Sequence, residues 1–380
     1  MLAFAPSVAL HPAQAMSHPA SKVIHTAEEP APGNYIVTLK AGARTPAQIS
    51  PHHVYDTAVH GFAATLTAAQ VSQLRSDPDV TAIEPDQVIR LDPAPSVHAV
   101  RPRYEQFNPP WNLDRIDQRL GLNDRYSFNQ TGRTVHAYVI DTGIQTNQTE
   151  FGGRAGNVFD SFGEEGIDCQ GHGTHVAGTL GSGSWGVAKL VQLRGVKVFP
   201  NCDGETTTSA VMAGVDWVAA HAIHPAVANL SLGGSHSEVL NTAVTNLANS
   251  GVFVSVSAGN SNTDACAESP ASASNVTTVA ASDITDSKAG FSNFGTCVDL
   301  YAPGVAIPSV PLTGRGPSIL SGTSMSAPAV AGVAALVKDA YGDVSSAYLN
   351  MWISAWATPG VIKGNAPGTP NRLLFKPRSA

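Results

Sequence analysis

Ser324 stands in the run Leu320-Ser-Gly-Thr-Ser-Met-Ser-Ala-Pro328, a hydroxyl among small residues just ahead of an apolar periodicity. Val330, Val333, Ala334 and Val337 recur at i, i+3, i+4 and i+7, the spacing of a buried helix whose first turn holds Gly322-Thr-Ser324. At a helix N-terminus the free backbone N–H groups and the positive dipole end favour the oxyanion formed when such a hydroxyl attacks an acyl carbon. A serine is a weak nucleophile without a base, and two upstream stretches supply the remainder. Val135 to Ile140 reads as a buried strand delivering Asp141-Thr-Gly143 to its C-terminal edge. Gly171-His-Gly-Thr-His-Val-Ala-Gly178 sets His172 between glycines at the start of a small-residue helix. An acid to orient an imidazole, an imidazole to take a proton and a hydroxyl to attack make up acyl-transfer chemistry.

The chain order Asp, His, Ser is that of subtilisin, and the three motifs together resemble the subtilisin-like serine peptidases, or subtilases. Trp111-Asn-Leu-Asp-Arg-Ile-Asp-Gln118, Phe151-Gly-Gly153, Gly186-Val-Ala-Lys189, Gly195-Val-Lys-Val198 and Phe291-Ser-Asn-Phe-Gly295 are similar to the proteinase K and aqualysin branch. The resemblance runs from about Trp111 to Phe375. It implies an α/β fold, a mainly parallel sheet sandwiched by helices, with Asp141, His172 and Ser324 catalytic at the strands' C-terminal edge. It also implies that Asn260 donates its amide to the oxyanion. Ser231, Leu232 and Gly233 would form one wall of the S1 pocket, and Ala258 and Gly259 the other. Neither wall stretch carries an acid to select Lys or Arg, so the expectation is a broad preference leaning to apolar and aromatic P1 residues.

The elements ahead of this region form separate units. Residues 1–22 begin apolar and contain Ala13-Gln-Ala15, a small-residue cleavage pattern. No Lys or Arg precedes the apolar patch and Pro6 interrupts it, so a signal-peptide remnant and a disordered segment both stand as readings. Residues 23–91 hold strand patterns at Tyr35 to Leu39 and Gly61 to Leu66, a capping box Thr67-Ala-Ala-Gln70, and one or two further strands from Val80 to Ile89. This region resembles the inhibitor-type propeptide of subtilases, a small α+β ferredoxin-like module that assists folding and blocks the cleft. Residues 92–110 turn Pro-rich, as a linker bearing an autocleavage site would, and residues 111–380 form the catalytic domain. Seven of the thirteen histidines precede Arg103, which suggests that acid weakens the propeptide's grip; solvated surface histidines are the plainer reading.

With 43% hydrophobic residues in 380, the chain can build a large core, and its net charge of −7 is spread without runs, which gives no basis for a nucleic-acid or membrane-surface partner. Four cysteines in a chain read as secreted favour disulfides and allow three connectivities; the resemblance selects Cys169–Cys202 and Cys266–Cys297. A zinc site at Cys169, His172 and His175 has legitimate spacing but no second close pair to complete four ligands, so His175 is read as structural. The resemblance further implies a structural calcium ion on the Asp299 carboxylate and the carbonyls of Ser274 and Val276, with no cofactor needed for catalysis. The expected protein is thus a monomeric, extracellular, self-processing serine endopeptidase acting on peptides and proteins. The alternative is an inactive homologue that binds peptides.

Overall fold

The computed structural model describes residues 30–90 and 107–377. The signal-like segment, the linker up to residue 106, and His11, His18, His25 and His98 lie outside the described residues. In the first unit β1 (Pro30–Leu39), β2 (His53–Tyr55), β3 (Gly61–Thr65) and β4 (Val80–Arg90) form an antiparallel sheet in the order β2-β3-β1-β4. Helix α1 (Ala68–Ser76) begins at the capping box read from the sequence: Thr67 accepts from the Gln70 amide while Gln70 reaches back to the Thr67 N–H. Alternation along the strands sorts the side chains between two cores. Val37, Phe62 and Ala64 pack with Val71 and Leu74 of α1, whereas Ile36, Tyr55 and Ala63 face the larger unit.

The larger unit opens with α2 (Trp111–Ile116), β5 (His136–Asp141), β6 (Ala155–Asp160), α3 (His172–Gly181), β7 (Gln192–Lys197) and β8 (Glu205–Thr207). It continues through α4 (Thr208–His221), β9 (Ala226–Leu230), β10 (Gly234–Ser235), α5 (Glu238–Asn249), β11 (Phe253–Ser257) and β12 (Glu268–Ser269). The last elements are β13 (Thr277–Ser282), β14 (Leu300–Pro303), the hairpin β15 (Ile307–Ser309) and β16 (Ser318–Leu320), then α6 (Thr323–Tyr341), α7 (Ser346–Trp356), β17 (Thr358–Pro359) and β18 (Arg372–Leu373).

A nine-stranded sheet in the order β17-β18-β14-β13-β11-β9-β5-β7-β6 organises this unit, parallel throughout except for the β17–β18 pair. Both faces are covered, which is why its central strands read as unbroken apolar runs. Ala137 and Val139 of β5 pack with α3 and α6, while Tyr138 and Ile140 pack with α4 and α5 on the opposite face. The architecture is the expected α/β sandwich. Helix α6 is buried from Thr323 to Lys338, so Leu336→Ala there would cost about 2–5 kcal/mol in lost transfer energy and cavity.

The first unit docks on the α4–α5 face. Strand β4 adds β8 to its edge, pairing Val88 with Thr207. Asp86 accepts from the Ser209 amide at the start of α4, and Glu84 accepts from the hydroxyl of Ser237, the N-cap of α5. Two carboxylates thus meet two helix N-termini, where the dipoles favour negative charge. Asp216 of α4 answers in the other direction, accepting from the backbone N–H groups of Thr57 at 2.8 Å and Ala58 at 2.5 Å.

Candidate active site

Strand β5 ends at Asp141, fully buried, and the turn after it requires glycine. Gly143 has φ of +97°, and a Cβ on it would fall 2.2 Å from the Gly166 carbonyl oxygen. A Cβ on Gly173 would fall 2.2 Å from the Gly143 oxygen, so α3 can approach the strand only with hydrogen at that position. The close approach brings His172 Nδ1 to 2.8 Å from Asp141 Oδ1 and 3.1 Å from Oδ2. Because a carboxylate only accepts, Nδ1 carries the proton and the tautomer is set. Asp168 braces the same corner, accepting from the hydroxyls of Thr142 and Thr174 and the amides of Gln170, Gly171 and Thr174.

His175, one turn further along α3, points Nε2 at the carbonyls of Ile307 and Ser318. Two carbonyl partners require Nε2 to donate, and burial depresses its pKa to about 3. It ties α3 to the β15–β16 hairpin, the structural role expected for it.

Helix α6 begins at Thr323, earlier than the apolar spacing alone marks, and runs through Pro328. Proline has no N–H to give to the carbonyl four residues back, which is that of Ser324. That carbonyl instead accepts from Ser231 Oγ at 2.7 Å, and Ser324 Oγ donates to the Ser231 carbonyl at 3.2 Å. The proline therefore leaves free the acceptor that binds the nucleophile's turn to the residue following β9. Asn260 follows β11, and its Oδ1 accepts from the amide and the hydroxyl of Thr323, each at 2.9 Å. With the oxygen so engaged, Nδ2 faces the other way, buried and without an acceptor among the described residues, 3.1 Å from where a Cβ on Gly322 would sit. A spare donor beside a serine at a helix N-terminus is the arrangement that holds a developing oxyanion.

Comparison with known proteins gives this constellation its setting. Residues 132–372 match the sequence profile described as the Subtilase family, and residues 14–92 match that of Peptidase inhibitor I9. The chain belongs to the subtilase family. Among its relatives, Alkaline serine exoprotease A of Vibrio alginolyticus is 46% identical over 86% of this subtilase and 60% of its own length. Extracellular serine proteinase of Thermus sp. (strain Rt41A) is 45% identical over 85% of the chain and 77% of its own length. A solved structure, that of a cold adapted subtilisin-like serine proteinase, superimposes with a TM-score of 0.69 at 47% identity, covering 71% of the chain and 98% of its own.

The subtilase's cysteines pair as Cys169–Cys202 and Cys266–Cys297. The first bond occupies Cys169, and no group of three His, Cys, Asp or Glu among the described residues is arranged to hold a metal. Asp299, by contrast, is a half-buried carboxylate: it accepts from the Thr278 amide at 2.8 Å, and desolvation pushes its pKa up to about 6 against the pull of Arg372. Ser274 and Val276, the other two residues expected at that site, flank Asn275 just ahead of β13.

The expected pocket walls lie where strands β9 and β11 end: Ser231, Leu232 and Gly233 on one side, Ala258 and Gly259 on the other. One residue of this region escaped the sequence reading. Glu268 opens β12, which pairs antiparallel with β10 directly after the first wall. Asn293 Nδ2 holds its Oε1 at 2.8 Å, and burial raises its pKa against that hydrogen bond. Glu268 stands two positions past Cys266 and belongs to no motif of the sequence. Its distance in sequence from both walls left no local pattern to find.

Proposed function

We propose that this subtilase is an extracellular serine endopeptidase made as a self-processing zymogen. The observation that supports the reading is the Asp141–His172 hydrogen bond, together with a serine at the head of α6 and a buried Asn260 Nδ2 that has no acceptor among the described residues. His172 takes the Ser324 proton as Oγ attacks a peptide carbonyl, and Asp141 holds the tautomer and stabilises the imidazolium. Asn260 Nδ2 and the Ser324 amide bind the oxyanion. His172 then protonates the leaving amine, and water repeats the sequence on the acyl-enzyme. Small residues in the two pocket walls leave room for apolar and aromatic P1 side chains.

Residues 23–91 act as the inhibitor and folding aid, 92–110 as the linker that is cut, and 111–380 as a monomeric catalytic domain. The docking contacts of Asp86, Glu84 and Asp216 support an intramolecular inhibitor. The two disulfides suit an oxidising compartment, and no described helix is long and apolar enough to cross a membrane. Structural calcium fits the Asp299 carboxylate, whose pKa desolvation pushes up to about 6 despite the charge of Arg372, together with the carbonyls of Ser274 and Val276; a hard cation takes such oxygens.

The test is expression of the full chain beside Ser324→Ala, read by intact mass and by hydrolysis of a peptide with an aromatic P1 residue. The parent should shed about its first hundred residues and cleave, and the variant should stay whole with activity lower by roughly six orders of magnitude. A parent that remains full length and inert after calcium addition and propeptide removal would make the chain a peptide-binding homologue instead.

A further inference from the structure

Glycine at 233 and at 259 leaves each pocket wall without a side chain at one position, and the missing groups converge on one atom. A Cβ built on Gly259 would lie 2.3 Å from Glu268 Oε2 and 2.3 Å from Asn293 Nδ2. A Cβ built on Gly233, on the facing wall, would lie 3.7 Å from the same Oε2. One carboxylate oxygen is thus within side-chain reach of both walls.

The anchoring of this carboxylate is one-sided. Asn293 is fully buried; its Oδ1 accepts from the amides of Ser261 and Thr263, and its Nδ2 donates to the Ala258 carbonyl and to Glu268 Oε1. Oε1 is therefore fixed to the frame that carries the Ala258 wall. Among the described residues Oε2 has no hydrogen-bond donor, and no Lys, Arg or His forms an ion pair with Glu268. A partly buried carboxylate is costly without a cation, and no described residue forms an ion pair with this one.

We propose that Glu268 is a specificity-determining residue of the S1 pocket, and that its free Oε2 receives the ammonium of a P1 lysine, adding lysine to the apolar residues the walls accept. The inference rests on the endopeptidase reading above and deepens it. A lysine stem of four methylenes lies along Gly233, Ala258 and Gly259 while its ammonium reaches the carboxylate. An aromatic ring fills the same walls and leaves Glu268 to water. Lysine suits the site better than arginine, because one oxygen is already bound to Asn293 and the planar guanidinium fork needs two to pair in its strongest mode.

The decisive measurement compares peptides that differ only at P1, carrying lysine, arginine, norleucine or phenylalanine. Norleucine matches the lysine stem without its charge, so the lysine-to-norleucine ratio of kcat/KM isolates the carboxylate. In the parent that ratio should exceed one by on the order of ten- to a hundredfold, the range of a charge-assisted hydrogen bond, with arginine below lysine. In Glu268→Gln the ratio should collapse towards one; the readout is the ratio and not the absolute rate. Should Glu268→Gln fail to fold, the parent's own ratio decides. A parent that cleaves after phenylalanine and norleucine but not lysine overturns the Glu268 assignment and leaves the peptidase standing. A parent that cleaves none of the four overturns both.

Discussion

The side chain of Asn260 has two ends with different duties, and the clamp on one end makes the other useful. Thr323 supplies both donors that hold Oδ1, so Nδ2 is aimed before any substrate arrives and costs no reorganisation during reaction. Asn260→Ala should lower kcat about 10²- to 10³-fold with little change in KM, because the lost donor acts on the oxyanion and not on the ground-state peptide. Thr323→Val removes one of the two bonds to Oδ1, leaves the backbone donor and strands the Gly259 amide that donates to Thr323 Oγ1; as a positioning change worth about 1 kcal/mol it should lower kcat roughly fivefold, with a smaller rise in KM through the pocket wall. Steady-state kinetics separate the two effects, and an equal rise in KM would place Thr323 in substrate binding. Asn260 was legible from Ala258-Gly-Asn260 once the resemblance was seen. Its clamp was not, because Thr323 lies 63 positions along the chain and a Gly-Thr-Ser run reads equally well as plain turn chemistry. Glu268 escaped for the same reason: its burial and its neighbours come from packing, which no local pattern carries.

At the level of elements, the docking of the first unit depends on backbone ends as much as on side chains. Asp216 projects from α4 to collect three consecutive N–H groups, those of Asp56, Thr57 and Ala58. Asp216→Ala strands those donors, and the inhibition constant of the separately added propeptide should rise roughly five- to a hundredfold, a loss of about 1–3 kcal/mol. No change in inhibition would mean the contact forms without contributing. Acid should act on the same interface through His53, whose pKa is lowered first by burial and then by His52. A base with a depressed folded pKa contributes stability that is whole above its unfolded value near 6.5 and lost as pH falls through 6.5 towards the folded value. Asp86 works the other way: burial raises its pKa, so its penalty is relieved as pH falls, in a window that opens above the ordinary carboxylate value of 3.8. The unprocessed Ser324→Ala chain should therefore lose thermal stability as pH falls below about 6.5, and His53→Gln should flatten that slope. A parent curve level across this fall in pH would remove histidine as a lever. Of the elements, those with strong periodicity were readable, including α1 from its capping box and the central strands from their unbroken apolar runs. Strand β8 was not, since three residues become a strand only because β4 pairs with them from more than a hundred positions away.

For the molecule as a whole, the catalytic edge of the sheet is fastened at places where regular structure is thin. Cys169–Cys202 joins the loop ahead of α3 to the loop ahead of β8, and Cys266–Cys297 joins the segment ahead of β12 to the approach of β14. With separations of 33 and 31 residues, each closure is worth about 3–4 kcal/mol in the chain-entropy account. The pairing could not be read from spacing, because four cysteines permit three connectivities and only the folded loops distinguish them. Calcium at Asp299 would fasten the region between β13 and β14, where the carboxylate already bridges to the Thr278 amide on the neighbouring strand. An ion bound only by the folded chain stabilises by mass action, about 2.7 kcal/mol at a hundredfold excess over its Kd. Added calcium should raise the Tm of the parent by several degrees, and chelation should reverse the gain. Asp299→Asn keeps an oxygen for the Thr278 amide but removes the charge, so it should fold, with its Tm indifferent to calcium. If both proteins respond equally, the ion that matters binds elsewhere. If neither responds, the half-buried carboxylate is balanced within the chain, with Arg372 the cation that acts on it.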